Sequence, residues 1–500
     1  MSFASGFLLA TLVAGGGASP HAECAGVRAT APELAERLCD LLDQPRLKGV
    51  RWGLVVLDDQ GREVISVAPD ERFVPASNTK IFTTTAAFAR LPGIDAPDLN
   101  RATSVRLESR GPGREPDIVL IGGGDAQLRD KAGCADCLAT LADAVVGSGV
   151  RRVHNVIGDD RLFPDERWGQ GWSWNNMQTE FGTAVSALTI NDNQVAFTVA
   201  PGGKVGDPAT ATWDAGDDYY SIQNELTTIG HGKADIRIDR APASRVVRLF
   251  GTIPIGTAPE RQVIGVEDPA EFAATRFARL LAARGIHAAG AVRTRHRDLD
   301  ISDDASRRGT VEMPPRDGTE IARLTAPALG PDLRHIAKVS QNLHAELALR
   351  RLGLTEGGTG SVADGLKVVE EVLTQAGAPR WAYDFADGSG MSNYNRITPR
   401  MTAHYIRWVS QQPWGSAWRE TLPIGATDGT LDDRFKGTIL VGRIFAKSGS
   451  INAVNSLSGY FTGASGKSYS FSMFAAEQPS GLSDATTIMD EALVMVADGG

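Results

Sequence analysis

Ser77 and Lys80 stand three residues apart in the stretch Pro75-Ala76-Ser77-Asn78-Thr79-Lys80-Ile81-Phe82-Thr83-Thr84. A serine hydroxyl is a poor nucleophile until a base takes its proton. A lysine one helical turn away can be that base if its amine is neutral for part of the time, and burial or a neighbouring cation lowers a lysine pKa. Residues 52–57 and 64–67 read as two strands joined by a turn at Asp59-Gln60-Gly61. The run from Ser77 to Leu91 is Ala- and Phe-rich at helical spacing. Ser77 is therefore expected to open a buried helix, with Lys80 on the same face one turn later. Ser-x-x-Lys is a two-letter pattern that also arises by chance, so its chemistry requires partners elsewhere in the chain.

Composition narrows the classes of function. A chain of 500 residues suggests about three domains. Its 42% hydrophobic and 22% charged residues are ordinary for a globular protein. The formal net charge of −9 argues against a general nucleic-acid binder, which needs a basic surface for phosphate. The eight histidines are scattered without metal-ligand spacing, so no metal site is expected. Near the start, Phe7-Leu8-Leu9-Ala10-Thr11-Leu12-Val13-Ala14 followed by small residues resembles a secretory signal, with cleavage after Ala18 or Ala22. No Lys or Arg precedes it, which departs from that pattern. An exported protein is thus expected, periplasmic or extracellular, with residues 1–22 as signal. Four cysteines fit export: Cys24 and Cys39, and the lone Cys134-Ala135-Asp136-Cys137. Local disulfides are the expectation, and a Cys24–Cys39 bridge would contribute about 3 kcal/mol.

After the first helix the chain changes character. Residues 97–300 are rich in Gly, Asp, Pro and short Val/Ile/Thr runs. Strands are expected at 117–121, 153–158, 194–200, 235–238 and 245–250, and helices at 138–146 and 269–283. Gly122-Gly123-Gly124-Asp125 is a turn and not a phosphate loop, since no Gly-Lys-Ser/Thr follows. Trp168, Trp172 and Trp174 cluster in one loop, either packing it down or facing a sugar-bearing substrate. Residues 295–308 read as a linker. Beyond it, 333–352 reads as one long helix with Ser340-Gln341-Asn342 in its first half. Further helices are expected at 362–376, 399–410 and 482–497. Strands at 443–446 and 456–461 would flank Lys447-Ser448-Gly449-Ser450, and a last strand spans 469–475.

Three short motifs thus stand in order: Ser77-x-x-Lys80, Ser340-x-Asn342 and Lys447-Ser448-Gly449. They resemble the Ser-x-x-Lys, Ser-x-Asn and Lys-Thr-Gly elements of the penicillin-binding and serine β-lactamase superfamily, with Ser448 in place of the usual Thr. A span of 259 residues separates Lys80 from Ser340. So large an insert resembles the D-alanyl-D-alanine carboxypeptidase/endopeptidase family of the penicillin-binding protein 4 type, low-molecular-mass class C, peptidase family S13. Gly171-Trp172-Ser173-Trp174-Asn175, Ser186-Ala187-Leu188, Asp387-Gly388-Ser389-Gly390-Met391-Ser392 and Asp428-Gly429-Thr430-Leu431 support it. The resemblance implies an α/β (α+β) fold. Helices would surround an antiparallel sheet in a transpeptidase-like domain at 28–96 and 303–500. Two nested, β-rich inserted domains would follow the first helix, at 97–185 with 255–302, and at 186–254.

The same resemblance implies roles. Ser77 would attack the D-Ala-D-Ala carbonyl, Lys80 would be the general base, and Ser340 would relay a proton to the leaving amine with Lys447 setting its state. Asn342 would bind a substrate amide. Lys447 and Ser448 would grip the terminal carboxylate beside Gly449, and the N–H groups of Ser77 and Ser450 would form the oxyanion hole. Expected partners are peptidoglycan peptides as substrate and β-lactams as covalent inhibitors. Peripheral membrane association and homo-oligomer formation are left open. Relatives often carry an acid near the end of the Trp-rich loop; here Asn175-Asn176-Met177 stands there, and Asp165, Glu166 or Glu180 is expected to substitute. The rival readings are a β-lactamase, for which no Glu-x-x-Leu-Asn is present, and a non-catalytic peptidoglycan-binding protein of the same fold. No Gly-x-Ser-x-Gly elbow supports a Ser-His-Asp hydrolase.

Overall fold

The computed structural model describes residues 26–130, 137–304, 306–307, 317–479 and 484–499, so the expected signal lies outside the described residues. Ten helices are described: α1 (Pro32–Leu42), α2 (Thr79–Arg90), α3 (Leu138–Gly147), α4 (Pro269–Ala282), α5 (Leu329–Lys338), α6 (Asn342–Leu352), α7 (Val362–Gln375), α8 (Pro399–Ser410), α9 (Gly415–Arg419) and α10 (Ala485–Gly499). A six-stranded antiparallel sheet runs in the order Arg28–Ala29, Glu63–Val67, Arg51–Leu57, Ser468–Ala476, Val454–Thr462, Ile444–Ile451. The two ends of the chain meet in it, with Leu54 opposite Met473.

Both faces of this sheet are covered, so Arg51–Leu57 reads as a nearly continuous apolar run, while Ser468–Ala476 alternates aromatic or apolar residues with small serines, of which Ser470 and Ser472 are buried too. Leu38 of α1 and Ile488 and Leu493 of α10 pack on one face with Leu54, Phe461 and Phe471. On the other, Phe73, Phe82, Tyr405, Ile406 and Phe474 join α2, α7 and α8 in a second core. Phe73 stacks on Phe474 with ring centroids 5.2 Å apart, and each such side chain taken fully from water contributes about 2–3 kcal/mol.

A second sheet, of five strands, has the order Val292–Arg295, Val156–Asp159, Asp117–Ile121, Ser104–Glu108, Thr319–Arg323, with parallel and antiparallel pairs. Helices α3 and α4 pack with it around Leu141, Val145, Phe272 and Phe277. Two three-stranded sheets and the two-stranded pair of Arg152–Val153 with His287–Ala288 complete this half among the described residues. Two pairings cross the expected divisions. Thr319–Arg323 pairs with Ser104–Glu108, beyond residue 302, and Glu260–Gly265 pairs with Gln194–Ala200, beyond residue 254.

Four local expectations are corrected. The long helix expected at 333–352 is two helices, α5 and α6, broken at Val339-Ser340-Gln341. Ser340 has φ 63°, and the Gln341 side chain caps α6 by accepting from Leu343 N. Lys447-Ser448-Gly449-Ser450 does not lie between strands but inside the edge strand Ile444–Ile451, paired residue by residue with Val454–Thr462. The strand expected at 153–158 is interrupted, giving Arg152–Val153 and Val156–Asp159, where Asn155 turns to bond Asp117. The start of the linker at 295–308 still belongs to a strand. Cys39 and Cys137 are disulfide-bonded; Cys24 and Cys134 lie outside the described residues.

Candidate active site

Helix α2 is buried from Thr79 to Ala87. A helix enclosed all round tolerates polar side chains only if they are satisfied. Thr84 and Thr85 manage this locally, donating to Lys80 O and Ile81 O at 2.7 Å each. The helix is entered through a 3₁₀ turn at Ala76–Asn78, with Ala76 at φ 48°. Ser77 therefore sits on the turn just before α2, half-buried at the floor of a cleft of about 780 Å³.

Lys80 reaches up from the first turn of α2. Its Nζ lies 3.0 Å from Ser77 Oγ, 2.6 Å from Asn342 Oδ1 and 2.6 Å from the Ser389 carbonyl. Asn342 is fixed the right way round because its Nδ2 donates to Phe181 O at 2.9 Å. Burial pulls the Lys80 amine down to about 7, against the opposing pull of Asp387 and Glu346. At that value a substantial fraction of the amine is neutral near neutral pH, as a general base requires.

The second lysine serves the second serine. Lys447 Nζ donates to Ser340 Oγ at 3.0 Å and to Ser448 O at 2.7 Å. Burial, with the Lys80 charge beside it, holds Lys447 well below the ordinary lysine range. The left-handed backbone at Ser340 lets α5 end and α6 begin while the hydroxyl meets the edge strand. Ser448 Oγ donates to Thr430 Oγ1 at 2.6 Å, and both line the cleft. Gly449 lets the strand pass close to Ser77: a Cβ there would lie 2.8 Å from Ser77 N and 2.5 Å from Ser456 Oγ.

All the expected site residues, Ser77, Lys80, Ser340, Asn342, Lys447, Ser448, Gly449 and Ser450, thus line or underlie one cleft. Of the three candidate acids, Asp165 is paired with Arg167 and Glu166 with Arg350, while Glu180 lines the cleft. The tryptophans divide. Trp168 donates to Gly182 O at 2.8 Å and Trp172 to Asp387 Oδ2 at 3.0 Å, whereas Trp174 is 67% exposed. Thr430 and the Ser389 carbonyl were not anticipated as site groups. Nor was Glu346, whose signal was its position one helical turn after Asn342.

A serine within hydrogen-bond reach of a buried lysine, a second Ser–Lys pair and a strand edge have the arrangement of a serine acyl-transfer site of the penicillin-binding type. The chain belongs to the D-Ala-D-Ala carboxypeptidase 3 (S13) family, whose model matches residues 34–498. It is 31% identical over 469 residues to the D-alanyl-D-alanine carboxypeptidase of Actinomadura sp. (strain R39), covering 90% of this chain and 82% of that one. It is 23% identical to D-alanyl-D-alanine carboxypeptidase DacB of Haemophilus influenzae over 87% of each chain. The crystal structure of penicillin binding protein 4 (dacB) from Haemophilus influenzae has the same fold: TM-score 0.77, 20% identity, 91% of this chain and 98% of that one covered. Enzymes of the family are serine-type peptidases, and this chain is one of them.

Proposed function

We propose that the protein is a serine-type D-Ala-D-Ala carboxypeptidase, with endopeptidase action on cross-links, working on peptidoglycan stem peptides through an acyl-Ser77 intermediate. The observation that carries this is Lys80 Nζ within 3.0 Å of Ser77 Oγ while two carbonyl oxygens occupy its other directions. Ser77 Oγ attacks the penultimate D-Ala carbonyl as its proton passes to Lys80. The N–H groups of Ser77 and Ser450 hold the oxyanion, a term worth about 3–4 kcal/mol per donor in comparable enzymes. Ser340, bonded to Lys447, relays a proton to the leaving amine, giving up its hydroxyl proton as the one taken up by Lys80 replaces it, and the C–N bond breaks to release D-Ala. Water then attacks the ester and frees Ser77. No cofactor is required by these steps.

Asn342 orients a substrate amide, and Lys447, Ser448 and Thr430 receive the terminal carboxylate. Glu180 supplies the acid that meets an amine on the substrate side chain. A three-part organisation accompanies this reading. The catalytic domain comprises 28–96 and the chain after about residue 324, and the inner insert extends to about 265, as the strand pairings favour. The apolar segment near the start, the cysteines in disulfides and the wall substrate favour a protein acting outside the cytoplasm. Among the described residues no helix is long and apolar enough to cross a membrane.

Mass spectrometry after incubation with benzylpenicillin tests the reading. An adduct on the Ser77 peptide, absent in Ser77→Ala, is expected, together with D-Ala release from a pentapeptide. An adduct elsewhere, or rapid repeated hydrolysis of a chromogenic cephalosporin, overturns it.

A further inference from the structure

Helix α6 is buried along nearly its whole length, yet carries Asn342, His344, Glu346 and Arg350 among its leucines and alanines. A buried charge is costly unless it is paired and hydrogen-bonded. Glu346, only 1% exposed, accepts from Gly388 N at 3.0 Å and Ser389 N at 2.8 Å, both through one carboxylate oxygen. Those two N–H groups belong to the Asp387-Gly388-Ser389-Gly390-Met391-Ser392 loop. Its next carbonyl, Ser389 O, is the one that receives Lys80 Nζ at 2.6 Å.

The chemistry of the amine makes that carbonyl matter. A charged lysine has three donors; a neutral one has two and a lone pair. Asn342 Oδ1 and Ser389 O can only accept. Together they take both hydrogens of the neutral amine and leave the lone pair for the Ser77 hydroxyl. One of these two orienting acceptors comes directly from α6. The other sits on Ser389, whose own N–H is held from α6 one turn further on by Glu346, while Asp387 holds the Gly390 N–H beyond it.

We propose that Glu346 is a positioning residue for the general base: its carboxylate grips the loop so that the Ser389 carbonyl turns the Lys80 lone pair toward Ser77. This rests on the assignment of Ser77 and Lys80 as nucleophile and base. Two other groups share the hold on these peptides, Thr83 on the Gly388–Ser389 peptide and Asp387 on the Ser389–Gly390 peptide. Thr83 Oγ1 donates to Gly388 O at 2.7 Å, and Asp387 accepts from Gly390 N, Ser392 N, Asn395 Nδ2 and Trp172 Nε1. Behind Glu346 stands Arg350, tied to Glu166 at 2.6 Å. The charged groups facing Glu346 and Lys80 are thus Asp387 from the loop, Arg350 from α6 and Lys447 from the edge strand.

The charge has its own consequence. Burial and the Asp387 charge push the Glu346 carboxyl up to about 7, so it and Lys80 titrate together near neutrality. An anionic Glu346 favours protonated Lys80. Removing the anion while keeping an acceptor, as in Glu346→Gln, lets Lys80 become neutral at lower pH.

The test is the rate of Ser77 acylation by a fluorescent penicillin across pH, normalised to the sites labelled at completion so that unfolded protein does not count. Glu346→Gln is expected to keep the plateau within about tenfold and to move the acid limb down by about one pH unit or more. Glu346→Ala, with no acceptor, is expected to lose the plateau by about 100-fold or more. Thr83→Val, which loosens the same peptide without touching charge, is expected to lower the plateau at an unmoved midpoint. Variants that lose only thermal stability, with the wild-type rate per site and an unshifted acid limb, overturn the proposal. Wild-type protein that is never labelled at Ser77 overturns instead the assignment beneath it.

Discussion

Lys447 Nζ donates to Ser340 Oγ at 3.0 Å, although Ser340 reaches that position only from a left-handed backbone at φ 63°. A serine in that region costs about 1–2 kcal/mol relative to a residue without a Cβ clash. Ser340→Gly is therefore expected to leave the fold intact and to raise its unfolding free energy by about 1 kcal/mol. Turnover of a D-Ala-D-Ala peptide is expected to fall by about 100-fold or more, because the leaving amine loses its proton source. Denaturant unfolding beside an assay of D-Ala release checks this. A variant both less stable and fully active would show that the hydroxyl has neither cost nor use.

Lys80 sets the pH dependence. Its amine is drawn down to about 7 by burial, so the neutral form gains population as pH rises through that value. The acylation rate by a β-lactam is expected to rise with pH, with a midpoint near 7, and then level off. Stopped-flow acylation between pH 5 and 9 reads it directly. A rate that falls over that range would exclude a neutral Lys80 as the base.

Gly390 is where the loop and the nucleophile's turn touch. It has φ 89°, and a Cβ there would lie 1.8 Å from Ala76 O. Gly390→Ala is expected to cost about 3 kcal/mol of stability, from overpacking and left-handed strain together. Acylation of Ser77 should slow as well, since the displaced neighbour carries it. Urea unfolding monitored by tryptophan fluorescence measures the first effect and penicillin labelling the second.

Much of this site is legible in the sequence, for a physical reason. Ser77, Ser340 and Lys447 each belong to a short run whose chemistry depends on neighbours in sequence, and their order along the chain survives any fold. The strand 52–57 was legible as a short, continuous apolar run, and the strand 194–200 and the helix 399–410 from periodicity, because the faces they bury repeat at the strand or helix period. The break at Val339-Ser340-Gln341 was not. Leucines and alanines keep helical spacing across it, and glutamine is an uncommon cap. Lys447, expected between two strands, lies buried inside one, where Ser340 Oγ and Ser448 O receive its amine. Glu346 reads in sequence as an ordinary polar helix residue, and its partners lie 42 and 43 positions away. The strand Thr319–Arg323 joins a sheet whose other strands lie before residue 296, a return that no local pattern announces.

His344 joins the two halves of the molecule and ties stability to pH. Its Nδ1 meets Asp332 Oδ1 at 2.6 Å and its Nε2 meets Asp192 Oδ1 at 2.9 Å. Asp332 belongs to α5, and Asp192 to the turn before Gln194–Ala200, where Arg129 also binds it. Burial alone would lower the imidazole, but the two carboxylate hydrogen bonds outweigh it and push His344 up to about 9. The ring is therefore a cation at neutral pH, with His335 packed 5.2 Å away. A folded pKa above the unfolded value means the contribution is fully present below about 6.5 and is lost as pH rises through about 9. The size of the shift corresponds to about 3 kcal/mol. Lys80, whose folded pKa is lowered, works in the opposite direction above about 7, so the comparison is made against His344→Gln, which leaves Lys80 in place. The stability difference between wild type and this variant is expected to be largest at pH 6 and to shrink by about 3 kcal/mol by pH 10. A difference that stays constant over that range would mean the imidazole is neutral and acts only as packing.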